Sequence, residues 1–446
     1  MPNISEGGVV ERAGLGVGAG TALCVGAVLG PGALTLVSTA AAAAGPASLL
    51  AWVGLIGLSL PVALAFAALG ARYPGAGGVA GFVQRAFGNR PAVCVGWWFY
   101  WAVPLGVPAA ALVAGEYVAV AAGWGGRWAV GGVALVLLLA AYGANLAGLR
   151  LSGRLQLVMV GLIVLLLAAT VVVAAGQVRG AHFAPFAPLG WASVGRAAGV
   201  LFFAFAGWEA VTHLSGEFAS PGRDLRRTTL LAWGVVAFLY LGLASVTIGV
   251  LGARTGGTAT PLTLLLEGGI GSAARPLVAV AALLLSFGAI NAYLAGGARL
   301  GATLGLQGAM PQRLVTSPAG SPGRSLTLLA LVSAAVVLAS AFGALALDTL
   351  LRATSACLVA VTLAGLLSAT SLLPGRSLLR LGAAVSAVVT AGVLVFCGPY
   401  LVLPAALAAA ACVFHSVSRS RVHRSAFHSS PAPSTGAVHA ERRLHV

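Results

Sequence analysis

Apolar residues run along this chain in long blocks, separated by short stretches rich in Pro, Gly and Arg. A helix needs roughly 20 apolar residues to cross a bilayer. Blocks of that length predict twelve spans, at about 15–44, 46–70, 92–121, 128–147, 154–176, 191–216, 228–252, 275–304, 325–344, 347–371, 378–397 and 399–416. The pattern therefore predicts an all-α polytopic membrane protein with 12 transmembrane helices.

The composition excludes the common soluble classes. Of the 446 residues 59% are hydrophobic and only 8% are charged, whereas a soluble domain carries about 25% charged residues. Disorder is excluded as well, because it requires low hydrophobicity and high charge. The five cysteines lie inside apolar blocks without CxxC spacing, so we expect buried thiols and no metal site.

All 25 basic residues are arginine, and their positions predict the orientation of the spans. With the N-terminus inside, 19 arginines fall on the inner side and 6 on the outer side. This asymmetry follows the positive-inside rule and predicts a cell-membrane protein with both termini in the cytoplasm. A net charge of +16 can indicate a nucleic-acid partner. These arginines stand singly between apolar runs, so no nucleic acid is expected.

The chain divides into three parts. Residues 1–14 form a polar N-terminal segment without the charged start or cleavage site of a signal peptide. Residues 15–416 hold the spans. Residues 417–446 are rich in Ser, Pro, His and Arg, and we expect a disordered cytoplasmic tail whose arginines contact anionic membrane lipid.

Two spans contain sequences that interrupt a helix. The first contains Gly-Ala-Val-Leu-Gly-Pro-Gly at 26–32, where Pro31 cannot donate a hydrogen bond and clashes with the preceding turn. The sixth contains Phe-Ala-Gly-Trp-Glu at 205–209, which places Glu209 at mid-membrane. Each interruption alone is consistent with a kink or with close helix packing.

The spacing of the two interruptions favours more than a kink. They lie five spans apart, which predicts a 5+5 inverted repeat with a binding site at the bilayer midplane. The first repeat would cover about 15–176 and the second about 191–371, followed by helices 11 and 12 at about 378–416. The N-termini of half-helices carry free N–H groups that suit a carboxylate.

Several motifs resemble those of the amino acid–polyamine–organocation (APC) superfamily permeases. Gly-Pro-Gly-Ala-Leu at 30–34 is similar to the glycine-rich break of their first helix, and 205–209 is similar to their Phe-x-Gly-x-Glu motif. Arg-Tyr-Pro-Gly-Ala-Gly-Gly at 72–78, Ala-Phe-Gly at 86–88 and Glu-Phe-Ala-Ser-Pro-Gly-Arg-Asp at 217–224 match their inner loops. The runs 75–88 and 209–214 most resemble the bacterial L-methionine/branched-chain amino acid exporters.

This resemblance, which covers about 15–415, implies a LeuT-like fold and secondary active transport of an amino acid. We expect proton-coupled export of neutral apolar amino acids (Leu, Ile, Val, Met) by alternating access. An importer or an amino acid/amine exchanger of the same fold stays open, and a transporter-like sensor or a channel is a weaker alternative. The chain has no HExxH, Walker or GxSxG motif, so we expect no enzyme, no cofactor and no ATP-driven pump.

The two interruptions supply the candidate site. The expected substrate-binding residues are Val28, Gly30, Gly32, Ala33, Phe203, Phe205, Gly207 and Trp208, with Asn291 from span eight. By the resemblance, Phe203 stands at an aromatic gate position, although core packing explains it equally well. Asn291 is also consistent with a hydrogen bond between helices.

Proton coupling is expected at Glu209 and His213, which lie one helical turn apart. A neutral Glu209 carboxyl bonded to the unwound backbone and a structural His213 are the alternatives. The chain departs from the family in two places. First, Pro31 replaces a hydroxyl residue, which leaves the N–H groups of Gly32 and Ala33 for a carboxylate. Second, some proton-driven members of the family carry a lysine in the fifth span, whereas this span is wholly apolar at 160–165 and the chain has no lysine, which excludes a lysine-based coupling step.

Overall fold

The computed structural model describes residues 16–73, 78–148, 153–205, 207–208, 218, 221–316, 322–375 and 377–428. These residues form α-helices joined by short turns, and none of them is in a strand. The helices are α1 Val17–Val28, α2 Gly32–Ala44, α3 Ser48–Arg72, α4 Gly78–Phe87, α5 Asn89–Ala122, α6 Arg127–Leu146, α7 Gly153–Ala175, α8 Ala192–Phe205, α9 Pro221–Leu251, α10 Pro261–Ile270, α11 Ala274–Leu306, α12 Gln312–Val315, α13 Gly323–Ala341, α14 Leu347–Leu372, α15 Leu378–Phe396 and α16 Val402–His428.

Apolar helices of membrane-spanning length dominate the described part of the chain. Ten helical segments there are long and apolar enough to cross a bilayer, and two shorter apolar helices, Val17–Val28 and Ala192–Phe205, accompany them. These two are α1 and α8, which belong to the two spans predicted to be interrupted. The prediction of an all-helical, multi-pass membrane protein is therefore confirmed.

The interruption predicted in the first span is confirmed. Helix α1 ends at Val28 and α2 begins at Gly32. Between them the Gly30 N–H donates to the Val28 carbonyl at 2.9 Å, and Pro31 has no N–H to continue the helical ladder. The chain therefore crosses this part of the bundle as two half-helices.

The sixth predicted span is also interrupted. Helix α8 ends at Phe205. Gly207 has φ +143°, a backbone conformation that residues other than glycine rarely adopt. Glu209 and His213 lie outside the described residues.

Two sets of helices can be distinguished by their mutual packing. The break group (α1, α2, α3, α8 and α9) holds both interruptions, and the four-helix group (α5, α6, α11 and α13) forms a second bundle in which every helix contacts the other three. Side-chain hydrogen bonds tie the four-helix group together: Tyr100 to Ser325 at 3.1 Å and Tyr142 to Thr327 at 3.0 Å. Helix α14 packs against members of both groups.

The last two helices lie at the periphery. In the most apolar stretch of each helix, only 28% of the residues of α15 and 17% of those of α16 are buried, against 61% of those of α5. Large side chains such as Leu381, Val388 and Val402 are more than 60% exposed, as expected of a face that meets lipid. Cys412 on α16 is exposed as well, so the expectation of five buried thiols is wrong for this residue, whereas the other four are buried.

The start of the disordered tail was predicted too early. Helix α16 continues to His428, so residues 417–428 are helical. No Pro or Gly occurs between 405 and 430, and the Ser, Arg, His and Ala residues there cost a helix little. Residues 429–446 and the N-terminal segment 1–14 lie outside the described part of the chain.

Candidate functional site

The two interruptions touch each other through their backbones. A Cβ added to Gly207 would lie 2.5 Å from the carbonyl oxygen of Ala27 and 3.1 Å from the Cα of Val28. Real Cβ atoms do not approach backbone atoms this closely, so only glycine fits. The sequence motif thus brings the end of α1 and the end of α8 to one place.

Tyr240 on α9 links these two helix ends. Its hydroxyl lies 2.9 Å from the Val28 carbonyl oxygen and 3.2 Å from the Ala204 carbonyl oxygen. Carbonyls at the end of a helix lack an intrahelical donor, and the tyrosine offers its one hydrogen to both. The ring is fully buried and packs on Trp52 and Phe205, with ring centroids 5.1 Å and 5.7 Å away.

Phe203 lies where the break group meets α5 and α14. Its Cδ1 is 3.3 Å from a Cβ built on Gly32, and its Cε2 is 3.7 Å from a Cβ built on Gly106 of α5. The Cγ2 of Thr354, on α14, lies 3.2 Å from the same Gly106 position. The ring therefore lies against the start of α2 and against α5, and its role as a gate stays a prediction.

Phe205 and Trp208 face another way. Both are buried and line a narrow cavity against Leu55 and Ser59 of α3, with room for about one water molecule. The indole N–H of Trp208 has no hydrogen-bond partner among the described residues. Positions 203 and 205 are about 200° apart on a helix, so the predicted aromatic pocket is divided between two faces of α8.

Two other predicted site residues have partners of their own. The side-chain oxygen of Asn291 accepts a hydrogen bond from the amide of Asn145 on α6 at 2.7 Å. The hydrogen bond between helices is thus the interpretation that the structure supports for Asn291. The Ala33 N–H donates to the Gly30 carbonyl at 3.0 Å, because the first turn of α2 closes tightly after Pro31. It is therefore not free for a carboxylate.

The predicted site residues that still lie together form a small candidate site beside the first interruption. A Cβ on Gly30 would meet nothing within 4 Å, so open space adjoins the backbone there. The Gly32 N–H makes no backbone hydrogen bond within the described ranges, and it points from the start of a half-helix. Val28, Phe203 and Gly207 complete the surroundings, and none of these residues is charged.

Three residues near the site had no sequence prediction: Tyr240, Gly106 and Thr354. Each lies in an apolar span without a motif, so only the packing of α9, α5 and α14 on the interruptions identifies it. No group of three or more His, Cys, Asp or Glu side chains that could hold a metal ion occurs among the described residues.

Comparison with known proteins finds similarity to amino acid permeases. A family model described as amino acid permease matches residues 15–417. The uncharacterised amino acid permease YecA of Bacillus subtilis (strain 168) is 34% identical over 322 residues, which cover 72% of this chain and 76% of YecA. The L-methionine/branched-chain amino acid exporter YjeH of Escherichia coli (strain K12) is 35% identical over 296 residues, covering 64% of this chain and 68% of YjeH. The branched-chain amino acid permease BcaP of Bacillus subtilis is 29% identical over 275 residues, covering 55% of this chain and 57% of BcaP.

The glycines at the two interruptions should differ in their tolerance of substitution. Gly207→Ala should lower the thermal unfolding midpoint and abolish transport, because a methyl would overlap the Ala27 carbonyl and a positive φ costs a side chain about 1–3 kcal/mol. Gly30→Ala should fold normally and weaken only substrate affinity. Thermal unfolding and radiolabelled amino acid exchange in proteoliposomes measure both effects. Wild-type stability and exchange in Gly207→Ala would contradict this assignment.

Tyr240→Phe should separate the hydroxyl from the ring. The ring keeps its contacts with Trp52 and Phe205, while the Val28 and Ala204 carbonyls lose the bond from the Tyr240 hydroxyl, which costs about 1–3 kcal/mol. The Val28 carbonyl keeps the bond from the Gly30 N–H. We expect slower exchange with a modest fall in the unfolding midpoint. Tyr142→Phe, which removes a hydroxyl from the four-helix group, is the matched control. Equal exchange rates in the two variants would exclude a special role for Tyr240.

Proposed function

Because the chain belongs to the amino acid permease family, whose model matches residues 15–417, we propose that it is a secondary active transporter that exports neutral apolar amino acids. The observation that carries the proposal is the contact between two interrupted helices beside open space at Gly30. Unwound backbone of this kind offers N–H and C=O groups to a ligand within an apolar bundle.

The surroundings of the site support a neutral apolar substrate. The described residues that frame it, including Val28, Phe203 and Thr354, carry no charge, and each buried CH₂ of a substrate contributes about 0.8 kcal/mol. A cationic side chain would require a second acid, besides Glu209, near its far end, and an anionic side chain would require an arginine. YjeH is named for methionine and branched-chain amino acids and BcaP for branched-chain amino acids, which supports the same class here.

The proposed direction of transport rests on the name of one relative. YjeH carries export in its name, and a secondary carrier follows its gradients. Import, or exchange of an amino acid for an amine, therefore remains the alternative function. The interrupted helices favour a carrier over a channel or a transporter-like sensor, because alternating access needs such hinges.

We further propose the LeuT-like arrangement of twelve spans with a 5+5 inverted repeat, followed by two C-terminal helices. Ten long apolar segments and the two short helices α1 and α8 support this count, since α1 and α8 are the first halves of the interrupted spans. The inner-side excess of arginine supports cytoplasmic termini in the cell membrane.

Protons are the proposed coupling ion, and Glu209 and His213 the proposed coupling residues. A carboxyl group in a membrane span is costly to retain without a function. A lysine-based step is excluded, since the chain contains no lysine. In the fifth span, Val160 of α7 packs against Gly26 of α1, with its Cγ2 2.5 Å from a Cβ built there. Helix α7, the fifth span, therefore contacts α1 through an apolar side chain and not through a lysine amine.

The topology predicts opposite labelling of two exposed positions. In a Cys412→Ser background, Gln312→Cys should react with a membrane-impermeant maleimide only from the cytoplasmic side, and Ala259→Cys only from outside. Both side chains are exposed, and the remaining native thiols are buried. Labelling of both positions from the same side would contradict the proposed order of spans.

The substrate class can be tested by counterflow in proteoliposomes against all twenty amino acids. Leu, Ile, Val and Met should exchange with saturable kinetics, and Arg and Glu should not. Cells that lack the protein should also accumulate free Leu or Met when fed dipeptides containing these residues. Strong Arg or Glu transport would overturn the substrate proposal, whereas normal efflux from the deletion strain would overturn only the direction.

Glu209→Gln should retain amino acid exchange and lose the dependence of uptake on external pH, because the amide cannot bind and release a proton. His213→Gln serves as the comparison and should reduce the pH dependence less. The measurement is initial uptake at a series of external pH values between about 5.5 and 8. A wild-type pH profile in Glu209→Gln would assign coupling elsewhere.

A further inference from the structure

Among the described residues, a buried hydrogen bond joins the break group to the four-helix group. The two groups contact each other directly where α2 lies beside α5. There the hydroxyl of Tyr117 on α5 donates to the carbonyl oxygen of Leu34 on α2 at 2.7 Å. Each residue is only 1% exposed, so water does not compete for this bond in the structure.

Two neighbouring elements pack against α2 as well, one of them near its far end. The turn at Gly252–Gly257 follows α9, and a Cβ on its Gly256 would lie 2.8 Å from the Cα of Ala42 in α2. Helix α10 also packs against α2. The half-helix α2 therefore contacts α5, α10 and the segment 252–257, and the Tyr117 bond is part of its contact with α5.

The other tyrosine hydroxyls near the site do not cross this boundary. Tyr240 bonds to Val28 and Ala204, all within the break group, and Tyr100 bonds to Ser325 within the four-helix group. These bonds can stay intact when the break group and the four-helix group move apart, because each bond lies within one group. The Tyr117 bond, in contrast, must break whenever α2 moves away from α5.

We propose that Tyr117 is a positioning residue that acts as a latch and sets the equilibrium between closed and open states at the α2 end of the site. The proposal rests on the proposed transport function, in which one end of the site closes while the other opens. The bond stabilises only the closed state. When the end opens, water can solvate both the hydroxyl and the carbonyl, so the latch biases the equilibrium without blocking it.

The size of the bias follows from ordinary hydrogen-bond energetics. A hydrogen bond between neutral groups changes an equilibrium by roughly two- to ten-fold. Tyr117→Phe keeps the ring and removes only the hydroxyl, so the population open at the α2 end should rise about five-fold. Tyr100→Phe is the matched control, because it removes a buried hydroxyl from the same helix without touching the boundary.

Hydrogen–deuterium exchange of the full-length protein in lipid nanodiscs measures this population. Amides in α2 and at Gly252–Gly257 should exchange about five-fold faster in Tyr117→Phe than in wild type, and at the wild-type rate in Tyr100→Phe. Thermal unfolding midpoints of the two variants should fall by similar amounts, which separates a latch from a general loss of stability. Unchanged α2 exchange in Tyr117→Phe, or an equal rise in both variants, would overturn the latch.

The same variants distinguish the latch from the transport proposal. The exchange measurement needs no substrate, so it gives its result even if no amino acid in the panel undergoes counterflow. Counterflow in wild type together with unchanged α2 exchange in Tyr117→Phe would overturn the latch alone. Faster α2 exchange without counterflow of any amino acid would overturn the transport function and retain Tyr117 as the residue that holds α2.

Discussion

A polypeptide inside an apolar bundle must find internal partners for every backbone polar group, because no water competes there. Two helices stop within this bundle, at Val28 and at Phe205, and their last carbonyls need donors. Tyr240 supplies one hydroxyl to both ends, and the glycine at 207 lets the two backbones meet. The interruptions thus satisfy part of each other's hydrogen bonding, and among the described residues the Gly32 N–H keeps no backbone partner.

Much of the architecture could be predicted from the sequence because its causes are local. A proline between glycines strongly disfavours a continuous helix, so the interruption at 26–32 could be located without a structure. The long apolar blocks likewise predicted the membrane helices. The end of α16 was harder to predict, since polar composition alone does not show whether a segment such as 417–428 remains helical.

The arrangement of the site depended on contacts between distant residues, and there the sequence was less informative. Phe203 and Phe205 look equivalent in a motif, yet they face opposite sides of α8, and only the packing of α2 and α3 shows which side adjoins Gly30. Asn291 is an isolated polar residue in its span, and its hydrogen-bond partner Asn145 lies 146 residues away in the sequence. The roles of Tyr240 and Tyr117 follow from helices that approach each other in space and not in sequence.

The exposed apolar faces of α15 and α16 have a consequence for handling the protein. Since most of the surface of these two helices lies outside the bundle, the surrounding amphiphile acts as their solvent. An unfolding midpoint measured in one detergent is then a joint property of the chain and of that detergent. Short-chain detergents, which cover an apolar helix poorly, should release α15 and α16 first, while the helices around the interruptions keep their packing.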